Sequence, residues 1–233
     1  LQLMDGFEFP VEIIRSDRKR SASIHLDGLG IKVRVPKALS QRRIRDLIEN
    51  KSSWITKKLN AARLAPPTKP KEYVSGETFA YLGKNYRLKV SSGDTASVKL
   101  KGGYFDVTVN RSVTGREDEI RALLIQWYKQ HALERLAAKT KRYAEIIGVQ
   151  PRSINVKSYK ARWGSCSAKG EISYNWCIIL MPHRIVDYVV VHELCHLLEH
   201  NHSPKYWNCV GRYVPDYKAQ RQWLRQHSTS FDV

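Results

Sequence analysis

The pattern of apolar and polar residues changes its period about halfway along this chain. In the first half, short apolar stretches alternate with polar and charged residues, which is typical of strands that bury one face. In the second half, apolar residues recur every three or four positions, which is typical of helices. The pattern therefore predicts an α+β fold, with a β-rich N-terminal domain over residues 1–115 and a second domain over residues 116–233.

The β-rich half begins with two alternating stretches, Val11–Ile14 and Ile31–Val35. The segment Asp27–Gly28 lies between them and favours a turn, so we predict an antiparallel pair of strands. Alternation over 81–90 and 98–109 predicts further strands, with glycine and serine at the turns.

One helix is predicted inside this half, over about residues 40–64. Ser40 can cap its first turn, and its apolar residues are spaced to face one side of a helix. These apolar residues are Ile44, Leu47, Ile48, Ile55 and Leu59. A segment rich in proline, with Pro66, Pro67 and Pro70, ends the helix.

The second domain is predicted to begin with a long helix from about Glu117 to Gly148, where the glycine suits a C-cap. Two strands follow in the prediction, Ile154–Tyr159 and Glu171–Leu180, with a polar loop between them. Pro182 then begins another helix. No internal repeat is evident in the sequence, so each element is assigned independently.

Composition indicates a globular chain that is strongly basic. Hydrophobic residues make up 42% of the chain, which is enough for a core, but 40 Lys and Arg against 22 Asp and Glu leave a net charge of +18. Such a charge attracts polyanions, so nucleic acid is a possible partner. The alternative is a basic surface that is solvated and binds no dedicated ligand. Seven basic residues would form one phosphate-binding surface if the first strands pack on the first helix. They are Arg15, Arg18, Lys19, Arg20, Arg42, Arg43 and Arg45.

The cysteines contain no Cys-x-x-Cys pair, which argues against a zinc site made of four thiolates. We expect free thiols, with Cys195 packed inside a helix and Cys166, in the polar loop, the one to test for reactivity. No apolar run approaches the roughly 18 residues of a membrane helix. We therefore expect a cytoplasmic protein without a membrane partner.

A His-Glu-x-x-His motif lies within an otherwise apolar helical segment. His192 and His196 are four residues apart, so both imidazoles lie on one helical face, where they can bind the same ion. Glu193 flanks that position without ligating the ion and can act as general base toward a water that the metal activates. Placing these polar groups in an apolar helix is costly unless they serve a site. The motif therefore predicts one zinc ion per chain.

Catalytic zinc generally keeps three protein ligands and one open position, so a third donor is required. His202 follows His196 by six residues, beyond the predicted helix end, and can fold back toward the ion. His200 and Glu199 are nearer along the chain. His200 is expected to face solvent at the helix end, and Glu199 is less favoured still.

Several short segments resemble the YgjP-like family of predicted zinc metallohydrolases, which is related more distantly to SprT-like and WLM metallopeptidases. In the second domain these segments are Arg162–Ser167, Asn175–Trp176, Tyr188–His196, Asn201–Ser203 and Tyr206–Trp207. In the first domain they are Arg15–Arg20 and Tyr81–Leu88, so the resemblance covers nearly the whole chain. The family typically has a pair of Phe or Trp where Tyr206–Trp207 stands here.

The resemblance implies a zincin-like second domain with an active-site helix. It assigns metal binding and catalysis to the positions already derived, His192, His196, His202 and Glu193. It also places the polar loop close to the metal helix, which makes Arg162, Trp163 and Asn175 candidates for substrate contact. Arg162 suits a substrate carboxylate or phosphate, and equally suits backbone carbonyls at a tight turn.

These residues predict a zinc-dependent hydrolase, and we expect a metallopeptidase that acts on peptides or proteins. Two alternatives stay open. A nucleoside-triphosphate pyrophosphohydrolase is suggested by the charge and by the family, and a nucleic-acid-associated module with a mainly structural zinc is suggested by the basic surface. Both hydrolases require Glu193 for their activity, whereas the nucleic-acid-associated module does not. A closed zinc site with four protein ligands would favour that module.

Overall fold

A computed structural model describes residues 2–28, 30–64, 70–110 and 116–227, which form a mixed α+β structure. The chain divides into two compact units, Leu1–Pro70 and Lys71–Val233. This division differs from the predicted one near residue 115, a position outside the described residues. The physical reason is that the strands after Lys71 share one apolar core with the helices that follow them.

The first unit contains a four-stranded sheet with the order β1-β2-β4-β3. Its strands are β1 (Gln2–Leu3), β2 (Val11–Ser16), β3 (Ser23–Asp27) and β4 (Gly30–Pro36). The predicted antiparallel pairing is wrong, because β2 lies parallel to β4 and the antiparallel partners of those two strands are β1 and β3. β3 lies at the sheet edge and is mostly exposed, so it lacks the clear alternation that marks the inner strands.

Two helices follow this sheet, α1 (Gln41–Glu49) and α2 (Ser52–Leu64), where one was predicted. The expected N-cap is confirmed, since the Ser40 hydroxyl accepts a hydrogen bond from the Arg43 backbone N–H at 3.4 Å. The predicted breaks at Pro66 and Pro67 lie outside the described residues. Apolar residues of both helices pack on the sheet, and the cluster contains Val11, Ile13, Ile31, Val33, Val35, Ile44, Ile48, Ile55 and Leu59.

The basic residues of the first unit are partly engaged in its own structure. Arg15 donates to the carbonyls of Lys37 and Leu39 at 2.7 and 2.8 Å. Arg45 donates to the Asp5 carbonyl at 3.3 Å and lies over the Phe7 ring. These two guanidinium groups therefore hold loops in place. Within the described part of the chain, no helix combines the length and the apolar character needed to cross a membrane.

The second unit begins with another four-stranded sheet, in the order β5-β6-β8-β7. Its strands are β5 (Thr78–Tyr81), β6 (Lys84–Gly93), β7 (Ser97–Lys101) and β8 (Tyr104–Asn110). The long helix α3 (Arg116–Ile147) confirms the prediction, and Gly148 follows it with φ of +79°, a left-handed conformation that glycine adopts at helix ends.

A three-stranded sheet and three helices complete the unit, with strand order β10-β11-β9. The elements are β9 (Ser153–Lys157), β10 (Gly164–Cys166), β11 (Glu171–Asn175), α4 (His183–Cys195), α5 (Pro204–Tyr213) and α6 (Tyr217–His227). Two details correct the prediction. The polar loop contains β10, and the second strand ends at Asn175, because its side chain accepts from the Cys177 N–H and caps a 3-10 helix over Trp176–Leu180.

Several contacts fix α4 within the second unit. The Leu82 N–H donates to the Ile179 carbonyl at 2.6 Å, just before the helix begins. Gly83 lies so close to Pro182 that a Cβ there would stand 2.7 Å from the proline Cα. Farther along, the Lys139 ammonium of α3 pairs with Asp187 of α4 at 2.5 Å. Helix α4 is therefore anchored both to the sheet and to α3.

Candidate metal centre

Helix α4 presents His192 and His196 on one face, as the spacing of four requires, with ring centroids 5.1 Å apart. His196 is the C-cap of α4 and ends the helix. The chain then turns back, and His202 immediately precedes Ser203, whose hydroxyl caps α5 by accepting from the Tyr206 N–H. The beginning of α5 thus holds the third histidine against the other two.

The three imidazoles are close enough to hold one ion. Their ligand atoms all lie within 4.8 Å of one another, and the Nε2 atoms of His192 and His202 are 3.3 Å apart. Two nitrogens bound to one tetrahedral zinc at about 2.0–2.1 Å stand about 3.3 Å apart. The distance between these two nitrogens therefore matches the separation of two ligands of one tetrahedral ion.

Neighbouring groups orient the rings. The Nδ1–H of His196 donates to the Glu199 carbonyl at 3.2 Å, which leaves Nε2 free to bind a metal. The buried Tyr206 hydroxyl donates to the His192 carbonyl at 2.8 Å, and its ring stacks on His196 at 4.5 Å. Glu199 and His200 were the other candidates for the third metal ligand. The Glu199 backbone carbonyl orients the His196 ring, and His200 lines the cleft but is not part of the group of three.

The environment keeps the histidines uncharged. Burial is the largest cause and lowers the pKa of His192 to about 3, and the charges of His196 and His202 act in the same direction. Burial also lowers the pKa of His196 and of His202 below the ordinary value. Neutral imidazole is the form that binds metal, so the triad needs no deprotonation at neutral pH.

Glu193 lies beside the triad in an apolar environment and is only 4% exposed. Burial raises the pKa of its carboxyl to about 8, and the charge of Arg162 opposes this shift only in part. Gly164 of β10 packs against this carboxyl group, because a Cβ there would stand 2.4 Å from Oε1. The carboxyl group is thus confined next to the cleft, with a pKa suited to exchanging protons near neutral pH.

A cleft of about 430 Å³ opens over these groups. Its lining combines the triad and Glu193 with one strand and one loop. The residues are Gly164, Ser165, Cys166, Ala168, His192, Glu193, His196, His200 and His202. β10 contributes lining residues to the cleft and pairs only with β11 among the described strands, so its other edge has no strand partner there.

The three residues considered for substrate contact lie beside this cleft rather than in its lining as described. Asn175 is buried, and its amide donates to the carbonyls of Tyr159 and Arg162, so its donors hold the loop together. Arg162 is exposed with its guanidinium over the Tyr159 ring, and Trp163 packs against the apolar core.

The cysteines are free thiols, as expected. Cys166, the predicted reactive thiol, lines the cleft, but burial and the charge of Glu193 raise its pKa to about 11. It is therefore protonated near neutral pH and a poor nucleophile. Cys195 is fully buried, with its sulfur 3.2 Å from that of Cys209.

Sequence reasoning missed an aromatic and cationic group beside His202. Trp207 of α5 stacks on the His202 ring, with centroids 5.4 Å apart. The Arg221 guanidinium of α6 lies over the same indole at 4.6 Å. The residue pair Tyr206–Trp207 was noted only as part of a family pattern, and no local signal connects Arg221 to a motif about twenty-five residues earlier.

The sequence matches the YgjP-like metallopeptidase domain over residues 20–227. The chain therefore belongs to the YgjP-like family, within the class of metallopeptidase domains. No curated protein sequence matches it.

Two solved structures share a limited likeness. The metallopeptidase zymogen abylysin of Pyrococcus abyssi is 19% identical, with a TM-score of 0.38, over 42% of this chain and 98% of that one. The zymogen jannalysin of Methanocaldococcus jannaschii is 18% identical, with a TM-score of 0.37, over 40% of this chain and 96% of that one. The family model that matches is a metallopeptidase domain, and it supports neither the nucleotide nor the nucleic-acid alternative.

Proposed function

We propose that this protein is a zinc-dependent peptidase in which His192, His196 and His202 bind one zinc ion and Glu193 is the general base. The observation that carries the proposal is the triad itself, with Nε2 atoms of two histidines 3.3 Å apart beside a buried glutamate. A third histidine from outside the helix completes the ligand set of a catalytic site, with a position left open.

The donor set favours zinc over harder cations. Three neutral imidazoles suit zinc, whereas magnesium and calcium prefer oxygen ligands. When bound, zinc would polarise the scissile carbonyl and lower the pKa of a water molecule. Within the described residues, the ligand group contains no fourth protein donor, which is the arrangement of catalytic rather than closed structural sites.

Two residues of the chain supply the proton transfer and the orientation of the metal ligands. Glu193 accepts a proton from the attacking water and returns it to the leaving amine, which its confined position against Gly164 allows. Tyr206 contacts both the backbone of His192 and the ring of His196, and so holds these two ligands in position relative to each other. Glu193 thus transfers the proton, and Tyr206 acts through the position of the metal ligands.

The edge of β10 favours a peptide over a nucleotide. Trp163 accepts from the Asn175 N–H and Ser167 donates to the Glu171 carbonyl. Ser165 pairs with Ser173 midway between them, so these three alternate residues bond toward β11. In an antiparallel ladder the intervening residues, Gly164 and Cys166, direct their N–H and C=O groups to the other side. An extended peptide can add to such an edge as a further strand, with its backbone beside Glu193.

The test compares zinc-loaded wild type with Glu193→Gln and His192→Ala. We expect wild type to bind about one zinc per chain and to cleave an unfolded protein such as reduced casein. Glu193→Gln should keep its zinc and lose at least about a hundredfold of the activity, because general acid–base catalysis contributes about that much or more. His192→Ala should lose both.

A nucleoside-triphosphate panel run on the same samples serves as the control for substrate class. Pyrophosphate release that depends on Glu193, without casein cleavage, would replace the peptidase reading with nucleotide hydrolysis. Zinc below about a tenth of an equivalent in supplemented wild type would contradict the metal assignment itself.

A further inference from the structure

We propose that Arg221 is an anion-binding residue of the substrate site and recognises a carboxylate of the bound peptide within about three residues of the cleaved bond. The proposal rests on the peptidase function proposed above and adds a substrate preference to it. It follows from the position of Arg221, from the indole that holds it and from the absence of an internal partner for its charge.

Trp207 connects Arg221 to the metal centre. Its indole stacks on the His202 imidazole with an interplanar angle of 18° and centroids 5.4 Å apart. The guanidinium carbon of Arg221 lies 4.6 Å from the centre of the same indole. Together these distances place the guanidinium within about 10 Å of the His202 ring, which an extended peptide spans with about three residues.

The indole is itself held in place. Tyr217 stacks on Trp207 with centroids 5.2 Å apart and an interplanar angle of 11°. Tyr217 and Arg221 are four residues apart on α6, so both project from the same face of that helix. A cation over an indole face is attracted by the ring quadrupole, which keeps the guanidinium near the rim of the site.

The charge of Arg221 is not neutralised inside the protein. Among the described residues, no carboxylate lies within salt-bridge distance of its guanidinium, and the side chain is exposed. The guanidinium lies outside the described lining of the cleft and is exposed to any anion that binds on the His202 side.

A guanidinium is suited to carboxylates because its planar fork donates two parallel hydrogen bonds. A peptide offers this group either as an acidic side chain or as its C-terminal carboxylate. Arg162 is the other cation near the centre, but it lies over the Tyr159 ring and acts on Glu193. Arg221 is therefore the cation associated with the His202 side of the site.

The experiment measures peptide binding without turnover, by calorimetry on zinc-loaded Glu193→Gln protein. The probes are blocked alanine hexapeptides with Asp at each position in turn, their Asn counterparts, and an alanine hexapeptide with a free or an amidated C-terminus. We expect at least one Asp position, or the free C-terminus, to bind about tenfold more tightly than its neutral counterpart. The position that shows the preference identifies which carboxylate is recognised.

Adding Arg221→Gln should abolish the preference, and Arg221→Lys should keep only part of it, because an ammonium lacks the planar fork. The matched control is Arg225→Gln, an exposed arginine one turn later on α6, which should retain the preference in full. Zinc content should be the same in all variants.

A preference that survives Arg221→Gln would overturn the proposal, and so would equal binding of charged and neutral peptides. Absence of any peptide binding while wild type still cleaves casein would overturn it as well, with the peptidase function intact. Absence of both binding and cleavage would overturn the peptidase function, and the Arg221 proposal with it.

Discussion

The two four-stranded sheets of this chain have the same strand order and the same strand directions, yet only the second belongs to the unit that contains the histidine triad. In each sheet the two inner strands are parallel and both outer strands pair antiparallel with their neighbours. In each, an antiparallel hairpin joins an outer strand to the second inner strand, β3 to β4 or β7 to β8. The sheets are therefore two versions of one topology.

The correspondence extends to individual side chains. β4 and β8 each bury three alternate residues, at matching positions after the hairpin. These are Ile31, Val33 and Val35 in the first unit and Phe105, Val107 and Val109 in the second. The hairpins match as well, since Gly28 and Gly102 both have φ of +58°. The repeat that was not evident in the sequence is thus clear in the structure.

The sheets differ in what covers their apolar face. In the first unit, two short helices close a separate apolar cluster. In the second, Phe105 packs against Trp127 of α3 at 4.9 Å, and the same cluster continues to α4 and the triad. The same topology thus packs under two short helices in one unit and shares a core with helix α4, which carries two of the three histidines, in the other, so the topology alone does not indicate function.

The largest expected difference comes from truncating one matched core residue in each sheet. Phe105→Ala should lower the free energy of unfolding of the second unit by about 4 kcal/mol and weaken zinc retention, and Ile31→Ala should cost the first unit about 3 kcal/mol. Hydrogen exchange of β4 and β8 locates each loss, and competition with a chelator measures zinc affinity. Equal weakening of zinc binding by both variants would show that the two cores are not separate.

An intermediate effect is expected from a contact that the first unit lacks. Tyr206→Phe removes the hydroxyl that donates to the His192 carbonyl, which should lower zinc affinity about tenfold, as loss of a group that orients a ligand does. The stability cost should be about 1 kcal/mol. Tyr104→Phe, at an exposed tyrosine of β8, is the control and should change neither quantity. Unchanged zinc affinity in Tyr206→Phe would argue that α5 does not support the triad.

The smallest effect tests whether the hairpins are equivalent. Among the described residues beyond the chain neighbours, no atom lies within 4 Å of a Cβ added at Gly28 or at Gly102, so the cost of alanine at either position is that of its left-handed conformation. We expect each substitution to destabilise its own unit by about 1 kcal/mol. Thermal unfolding with hydrogen exchange of each hairpin checks the values, and a clear inequality would mean that the two turns carry different strain.

Local features of the sequence predicted much of the second unit. The helical period over α3 is confirmed, as are the glycine at its end and the proline that begins α4. The His-Glu-x-x-His spacing placed two imidazoles on one helical face, as observed. Each of these features depends on residues within about one helical turn of each other, and such short-range geometry follows from the backbone alone.

Pairing between distant residues could not be inferred in this way. The exposed edge strand β3 has little apolar alternation, so its place beside β4 was missed and β2 was wrongly made the antiparallel partner. The repeat was missed because the two sheets match in which positions are buried, and few of those positions carry the same residue in both sheets.

By itself, the sequence determined the long helix α3 with the glycine at its end, the cap at Ser40 and the pair of histidines on α4, since periodicity and capping act between near neighbours. Only the tertiary structure decided which strands pair, which sheet supports the triad, and that Trp207 and Arg221 stand beside His202. The physical reason is that these contacts join separate elements, and they form only when burial of apolar surface brings those elements together.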